Sequence, residues 1–163
     1  MDLSDLFRFS EGKWPVDEAL VQTLHQRGYR DEGERFQTGF DQHVRDTLIE
    51  ARQHAGPKSR MWFAWQGSDP VGCTAMIDRG DLGQLRWVVV VPEVRGHAVG
   101  KHLFETAISY ARDQSWKGVY LETTDQLDAS MSIYRKAGFV ETLSEQQELW
   151  NGPGQLIRMF LQF

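Results

Sequence analysis

The chain has 163 residues, 40% hydrophobic and 25% charged, the size and balance of one soluble domain with a single sizeable core. Its net charge of −5 argues against a nucleic-acid partner and is compatible with a cationic substrate. The lone cysteine, Cys73, cannot form an internal disulfide, the acidic N-terminus M-D-L-S-D-L-F-R-F-S lacks a signal peptide's apolar core, and no apolar stretch is long enough to span a bilayer; the expected setting is soluble and cytoplasmic, with no membrane partner.

Leu3 to Phe9, with Leu3, Leu6, Phe7 and Phe9, is read as a first short strand. Pro15 to Arg27 reads as a helix: Pro15 suits a first turn, Val16, Leu20 and Leu24 share a face, and Gly28 ends it. Phe36, Phe40, Val44, Leu48 and Ala51 recur at helical spacing, so Gly33 to Ala55 is a second helix, kinked or split in two at Gly39. The pattern then changes to strands. Met61 to Gln66 and Val71 to Ile77 flank the turn Ser68-Asp69-Pro70 as a hairpin, and Gln84 to Val91 adds a third strand after the Gly-containing reversal Asp78–Gly83.

The stretch Leu85–Lys101, L-R-W-V-V-V-V-P-E-V-R-G-H-A-V-G-K, organises the rest. Its first half is β-branched and aromatic, as in a buried strand, and Pro92 ends the ladder because it has no N–H to give. Its second half is a Gly-containing loop opening the helix Ala98–Gln114, which buries Val99, Leu103, Ala107 and Tyr110. A helix N-terminus carries unpaired N–H groups and partial positive charge, so this junction reads as a diphosphate cradle; a structural strand-to-helix turn is the plainer alternative. Val119–Thr123 is a strand, Asp128 an N-cap for a helix to Ala137, and Gly138 a left-handed C-cap against which Phe139 packs. Phe139–Leu143 and Leu156–Phe163 close the sheet around the turn Asn151–Gly154. The fold class is α/β: one domain over residues 1–163, with a mixed, mostly antiparallel sheet of six to seven strands and helices on both faces. The last strand, Leu156–Phe163, is also a candidate to join a neighbouring subunit's sheet in a homodimer.

These stretches resemble the GNAT family of acyl-CoA-dependent N-acetyltransferases. The family's cofactor motif, a strand, a Pro and Arg-Gly-x-Gly-x-Gly opening a helix, stands here as V-V-V-V-P-E-V-R-G-H-A-V-G-K. Its second signature, a helix bearing a Tyr before Gly-Phe, stands as D-A-S-M-S-I-Y-R-K-A-G-F, Asp128 to Phe139. The segments L-R-W-V-V-V-V-P-E-V-R-G and L-E-T-T-D-Q-L-D-A-S-M-S-I-Y are similar to the acetyltransferase halves of fusions with MarR-type regulators, though no DNA-binding half stands in this sequence. Two positions depart from the family. Ala98 replaces the middle glycine, which is tolerated if that position has ordinary helical dihedrals. Leu127 stands where the family often has an Asn that touches the pantetheine arm.

The resemblance implies acetyl-CoA as cosubstrate and a primary amine as acceptor, with direct attack in a ternary complex. The amides of Arg95, Gly96, His97, Ala98, Val99, Gly100 and Lys101 would hold the pyrophosphate. The open edge of Val88, Val89 and Val90 would pair with the pantetheine arm, if that strand splays from Val119–Thr123. Ser130 and Tyr134 would lie along the cofactor, with Tyr134 the acid that protonates the leaving thiolate. Glu122 is the first choice of general base, with Asp81, His43 or a water relay as alternatives and pairing with Arg86 as its structural explanation. Trp62, Trp65 and Trp87 read as sheet packing, though some would suit an amine pocket. Cys73 has no nearby base, the five histidines show no metal-ligand spacing, and Arg27, Arg30 and Arg35 read as solvated surface. A competing reading keeps the acyl-CoA pocket as a sensor without turnover. A dinucleotide-binding dehydrogenase domain fits poorly, because the glycine spacing is not G-x-G-x-x-G.

Overall fold

The computed structural model describes residues 2–13 and 18–163. The first turn overrides the strand expected over Leu3–Phe9. The Asp2 N–H donates to the Asp5 carboxylate at 3.1 Å and the Asp5 N–H to the Asp2 carbonyl, winding helix α1 (Leu3–Leu6). The strand begins only afterwards, as β1 (Arg8–Lys13). The start of the helix expected from Pro15 lies outside the described residues; helix α2 spans Glu18–Gly28. The long helix expected next is in two pieces. Gly39 sits at φ 81°, which breaks the helical register between a 3₁₀ turn at Glu34–Phe36 and helix α3 (Phe40–His54).

The meander follows as β2 (Arg60–Gln66), β3 (Asp69–Asp78) and β4 (Gly83–Val90). Helix α4 (Val99–Arg112), β5 (Gly118–Thr124), helix α5 (Asp128–Lys136), β6 (Val140–Leu149) and β7 (Gly152–Gln162) complete the chain. The sheet is seven-stranded and mixed, in the order β1-β2-β3-β4-β5-β7-β6, with β4 and β5 its parallel pair. Helices cover opposite faces of its centre. A Cβ on Gly28 of α2 would meet the Val89 side chain at 2.1 Å, whereas one on Gly100 of α4 would meet Val90 at 3.3 Å. Adjacent residues of one strand thus carry different helices, as the period-two alternation requires.

Two expectations about the C-terminal half change. Asp128 is the first helical residue of α5, and Leu127, which makes no side-chain cap, is the residue before it. The other end matches its sequence signals. Gly138 lies at φ 105°, its N–H reaches the Arg135 carbonyl, and the Phe139 N–H reaches Tyr134 at 3.0 Å, a complete Schellman cap. The last strand is not an edge. β7 pairs with β5 along one side and β6 along the other, so it has no ladder left for a second subunit, and the outer strand is β6. Among the described residues no helix is long and apolar enough to cross a membrane.

Candidate active site

The site begins where β4 and β5 part. They pair only at Gly83–Val119 and Gln84–Tyr120. Beyond that point β5 stays on β7 and β4 stays on β3. A bulge bends β4 away: Arg86 faces Ala75 and Val89 faces Cys73, so Trp87 and Val88 stand together against Thr74. Trp87 takes φ 50°, a left-handed conformation costing about 1–2 kcal/mol for a residue with a Cβ. Its indole N–H donates to Thr47 Oγ1 at 3.0 Å, and the buried Cys73 thiol donates to its carbonyl at 3.1 Å. Burial pushes that thiol's pKa up, so Cys73 braces the bulge as a neutral donor.

The open edge is narrower than Val88–Val90. The Val91 N–H donates to Val71 at 2.9 Å. By the two-residue alternation of an antiparallel ladder, the main chain of Val89 is also turned to β3. Val88 and Val90 face the fork, and the Val90 carbonyl already receives Arg95 Nε at 3.3 Å. Val88 is therefore the residue with main-chain groups free for an added strand.

A short 3₁₀ turn, Pro92–Val94, leads into the loop. The Arg95 N–H closes onto Pro92, and the next amide with a protein acceptor is that of His102, which reaches Ala98 at 3.0 Å. Among the described residues the amides of Gly96, His97, Ala98, Val99, Gly100 and Lys101 have no such acceptor, which leaves a run of free donors at the N-terminus of a 14-residue helix. This donor set fits a diphosphate. The side chains behave differently. Arg95 turns back, giving Nη2 to the Gly28 carbonyl at 2.6 Å, and ties the end of α2 to β4. The His97 ring lies near Phe7, and Lys101 reaches solvent beside Glu105.

Ala98 contradicts the condition under which it was expected to be harmless. Its φ of 62° and ψ of 17° are left-handed, because the loop must reverse into α4 at this residue. Alanine pays about 1 kcal/mol there, partly offset against glycine's greater freedom when unfolded. Ala98→Gly is expected to raise stability by about 0.5 kcal/mol, or about 1–2 °C in Tm by calorimetry. A lower Tm would show that the left-handed turn costs nothing.

On the other side of β4 a cavity of about 420 Å³ opens along the fork. Tyr134 of α5 reaches it, 8% exposed and packed against Phe104 and Phe139. Burial pushes the Tyr134 phenol up to about 12, only partly opposed by a hydrogen bond with Ser130, which also lines the cavity. Glu122 lines it from β5, with its carboxylate 3.5 Å from Arg158 rather than paired with Arg86. His43 lines it from α3, stacked on Trp150 at 4.5 Å, and burial, with the charge of Arg86, pushes its pKa below the usual value. His25 is buried, with Nδ1 2.8 Å from the Val21 carbonyl, so Nδ1 carries the proton; burial pushes its pKa down to about 4.

The structure separates the other candidates. Asp81 sits in the turn before β4, paired with Lys117, at the opposite end of the strands from the fork. Of the three tryptophans, Trp87 lines the cavity, whereas Trp62 packs on Tyr110 and Trp65 under Arg8. Leu127 lines the cavity as an apolar wall. Arg35 is not solvated surface: it is 14% exposed and binds Asp125 and Thr124. The aromatic wall of Tyr29, Phe36, Phe40 and Trp150 was read from the sequence only as helix core, or not at all. Phe36 and Phe40 each contact Tyr29, Trp150 and one another in tilted or edge-on pairs, with ring centroids 4.9–5.7 Å apart. The only local signal is the run of aromatics Tyr29, Phe36 and Phe40 between the first two long helical stretches. Among the described residues no group of three or more His, Cys, Asp or Glu is placed to hold a metal.

Comparison with known proteins agrees with this geometry. The model of the acetyltransferase (GNAT) family matches residues 21–139. The chain is 28% identical over 129 residues to the IAA acetyltransferase of Azospirillum brasilense, covering 78% of this chain and 80% of that one. It is 36% identical over 87 residues to N-acetyltransferase 8B of Mus musculus, covering 50% of this chain and only 38% of that longer protein. The fold superposes on the ribosomal-protein-S18-alanine N-acetyltransferase of Escherichia coli with a TM-score of 0.72 at 16% identity, over 95% of this chain and 94% of that one. Nourseothricin acetyltransferase superposes with a TM-score of 0.57 at 26% identity, over 65% of this chain and 66% of that one.

Proposed function

The chain belongs to the acetyltransferase (GNAT) family and is an N-acetyltransferase, and from that premise we propose that it moves the acetyl group of acetyl-CoA to a primary amine by direct attack in a ternary complex. The family uses acetyl-CoA as donor. The observation that carries the proposal is the fork, where the free main-chain edge of Val88 and the protonated Tyr134 phenol line one cavity and the run of free amides opens the helix that follows β4. The amides from Gly96 to Lys101 hold the pyrophosphate, and Val88 pairs with the pantetheine arm. Acetyl-CoA supplies the activated acetyl carbon. As the N–C bond forms and the C–S bond breaks, Tyr134 gives its phenolic proton to the departing sulfur. Glu122 takes the proton of the attacking amine. Direct transfer is supported by the state of the one thiol, Cys73, which is buried and occupied by the Trp87 carbonyl. The likeness to the acetyltransferase halves of MarR-type fusions stays our reading of the two segments that carry it.

The test is release of coenzyme A thiol with a panel of primary amines, alongside calorimetric titration of coenzyme A. Binding with amine-dependent release is expected. Binding without release for any amine overturns the transfer, and no binding heat overturns the site itself. In the same assay Glu122→Gln is expected to lower kcat/KM at least about tenfold. An unchanged kcat/KM would pass the base role to His43 or to water.

A further inference from the structure

The cavity wall holds an arginine that, among the described residues, no carboxylate reaches at salt-bridge distance. Arg86 lines it from β4, half-buried, its guanidinium carbon 5.7 Å from the centre of the Trp87 ring. Among the described residues it makes no hydrogen bond or salt bridge with another side chain. Glu122 stands level with it across the fork, since the parallel register sets Gly83 beside Val119 and Gln84 beside Tyr120. Yet the Glu122 carboxylate is turned to Arg158 at 3.5 Å. The other carboxylate felt by Arg86, Glu50, is held by Arg79 through two bonds of 2.9 and 2.6 Å. Both nearby carboxylates are therefore committed to other arginines. Arg79 adds repulsion, and both cavity histidines have their pKa lowered in part by the charge of Arg86. A guanidinium cannot lose its proton to escape this, so a positive charge stays in the cavity wall, which elsewhere carries Glu122 and Glu148. A charge drawn partly out of water is stabilised by a partner of opposite sign or by hydrogen bonds.

We propose that Arg86 anchors a carboxylate on the acceptor, so that the substrate class is an amine that also bears an acid group, with an apolar or aromatic body against Tyr29, Phe36, Phe40 and Trp150. This rests on the acetyltransferase reading above for the amine, but not for the anchor. A planar, bidentate donor matches a carboxylate. The aromatic wall supplies the apolar side that small-molecule sites share, and the cavity volume is that of a small-ligand site.

The test compares aromatic amino acids in which one to three methylenes separate amine from carboxylate with their matching amides, in thiol release and in calorimetry on the coenzyme A-bound protein. The best acid is expected to exceed its amide at least about thirtyfold in both readouts. Arg86→Gln is expected to erase that preference, and Arg86→Lys to restore part of it, with coenzyme A affinity unchanged in each. Acids that bind more tightly than amides but release no thiol uphold the anchor while overturning the transfer. Amides equal to acids with the wild-type protein overturn the anchor even if the variants fail to fold. So does an Arg86→Gln protein that loses acids and amides alike.

Discussion

Tyr134→Phe is expected to lower kcat by about a hundredfold or more while the affinity for coenzyme A hardly moves. The change removes one oxygen and leaves the ring packed between Phe104 and Phe139, each with its centroid 6.0 Å away. The Schellman cap at Gly138 holds the backbone around Tyr134 without using the hydroxyl. Neither the loop Arg95–Lys101 nor the free edge at Val88 depends on that hydroxyl, so coenzyme A binding has no reason to fall. The pH profile carries a second signature. The donor is the neutral phenol, so activity is lost as pH rises through its pKa. Burial pushes that pKa to about 12, and turnover should therefore show no decline from this group across pH 8–10, where an ordinary tyrosine begins to ionise. A kcat equal to wild type in the phenylalanine variant would remove Tyr134 from the chemistry.

What the sequence disclosed follows the range of the forces involved. The junction from Val88 to Lys101 was legible because its signals are local: branched residues, a proline, glycines and a helical stripe in one stretch. The cap at Gly138–Phe139 was legible for the same reason. The fork itself was anticipated only as a condition, because its cause is a bulge at Trp87. That bulge depends on Thr47 and Cys73, residues 40 and 14 positions away. Ala98 was misjudged because a dihedral angle is set by where the loop must go, not by the residue that goes there. Pairing of Glu122 with Arg86 is only the structural alternative to a base role in the sequence, because strand neighbours of opposite charge attract. The choice between Arg86 and Arg158 is made by a β5–β7 pairing, Glu122 beside Arg158, that spans 36 residues of sequence. The aromatic wall escaped because Phe36 and Phe40 look like any helix core until Trp150 arrives from the far end of the chain.

Arg35 shows how that distant arrival is secured, and its removal is expected to damage both stability and acceptor binding. Its guanidinium reaches Thr124 Oγ1 at 2.9 Å, the Asp125 carbonyl at 3.2 Å and the Asp125 carboxylate at 2.5 Å. Its own carbonyl receives the Trp150 indole N–H at 2.6 Å, and the Glu34 carbonyl receives Asn151 at 3.0 Å. One residue thus joins the turn before α3, the end of β5 and the β6–β7 turn, the segments that bring Phe36 and Trp150 together. Arg35→Ala strips Asp125 of its main partner and leaves it with Thr124 and the Gln155 N–H. Because the Asp125 side chain is 40% exposed, water replaces part of what is lost, and the cost is about 2 kcal/mol rather than the larger penalty of a fully buried pair. For a chain of this length that lowers Tm by about 4–8 °C. The acceptor KM should rise while coenzyme A affinity stays constant, because the wall loosens and the diphosphate loop does not. Arg35 and its bonds to Thr124, Asp125 and Gln155 hold the Asp125 carboxyl down to about 2, from an ordinary 3.8. A depressed folded-state pKa means that the unfolded chain takes up the proton first as pH falls. The stabilisation by the pair is therefore complete above about pH 5 and drains away between about pH 4 and pH 2. The Tm gap between wild type and Arg35→Ala should accordingly be widest near neutrality and narrow from about pH 4 to pH 2. A gap that stays constant over that range would show that Asp125 is not what Arg35 holds.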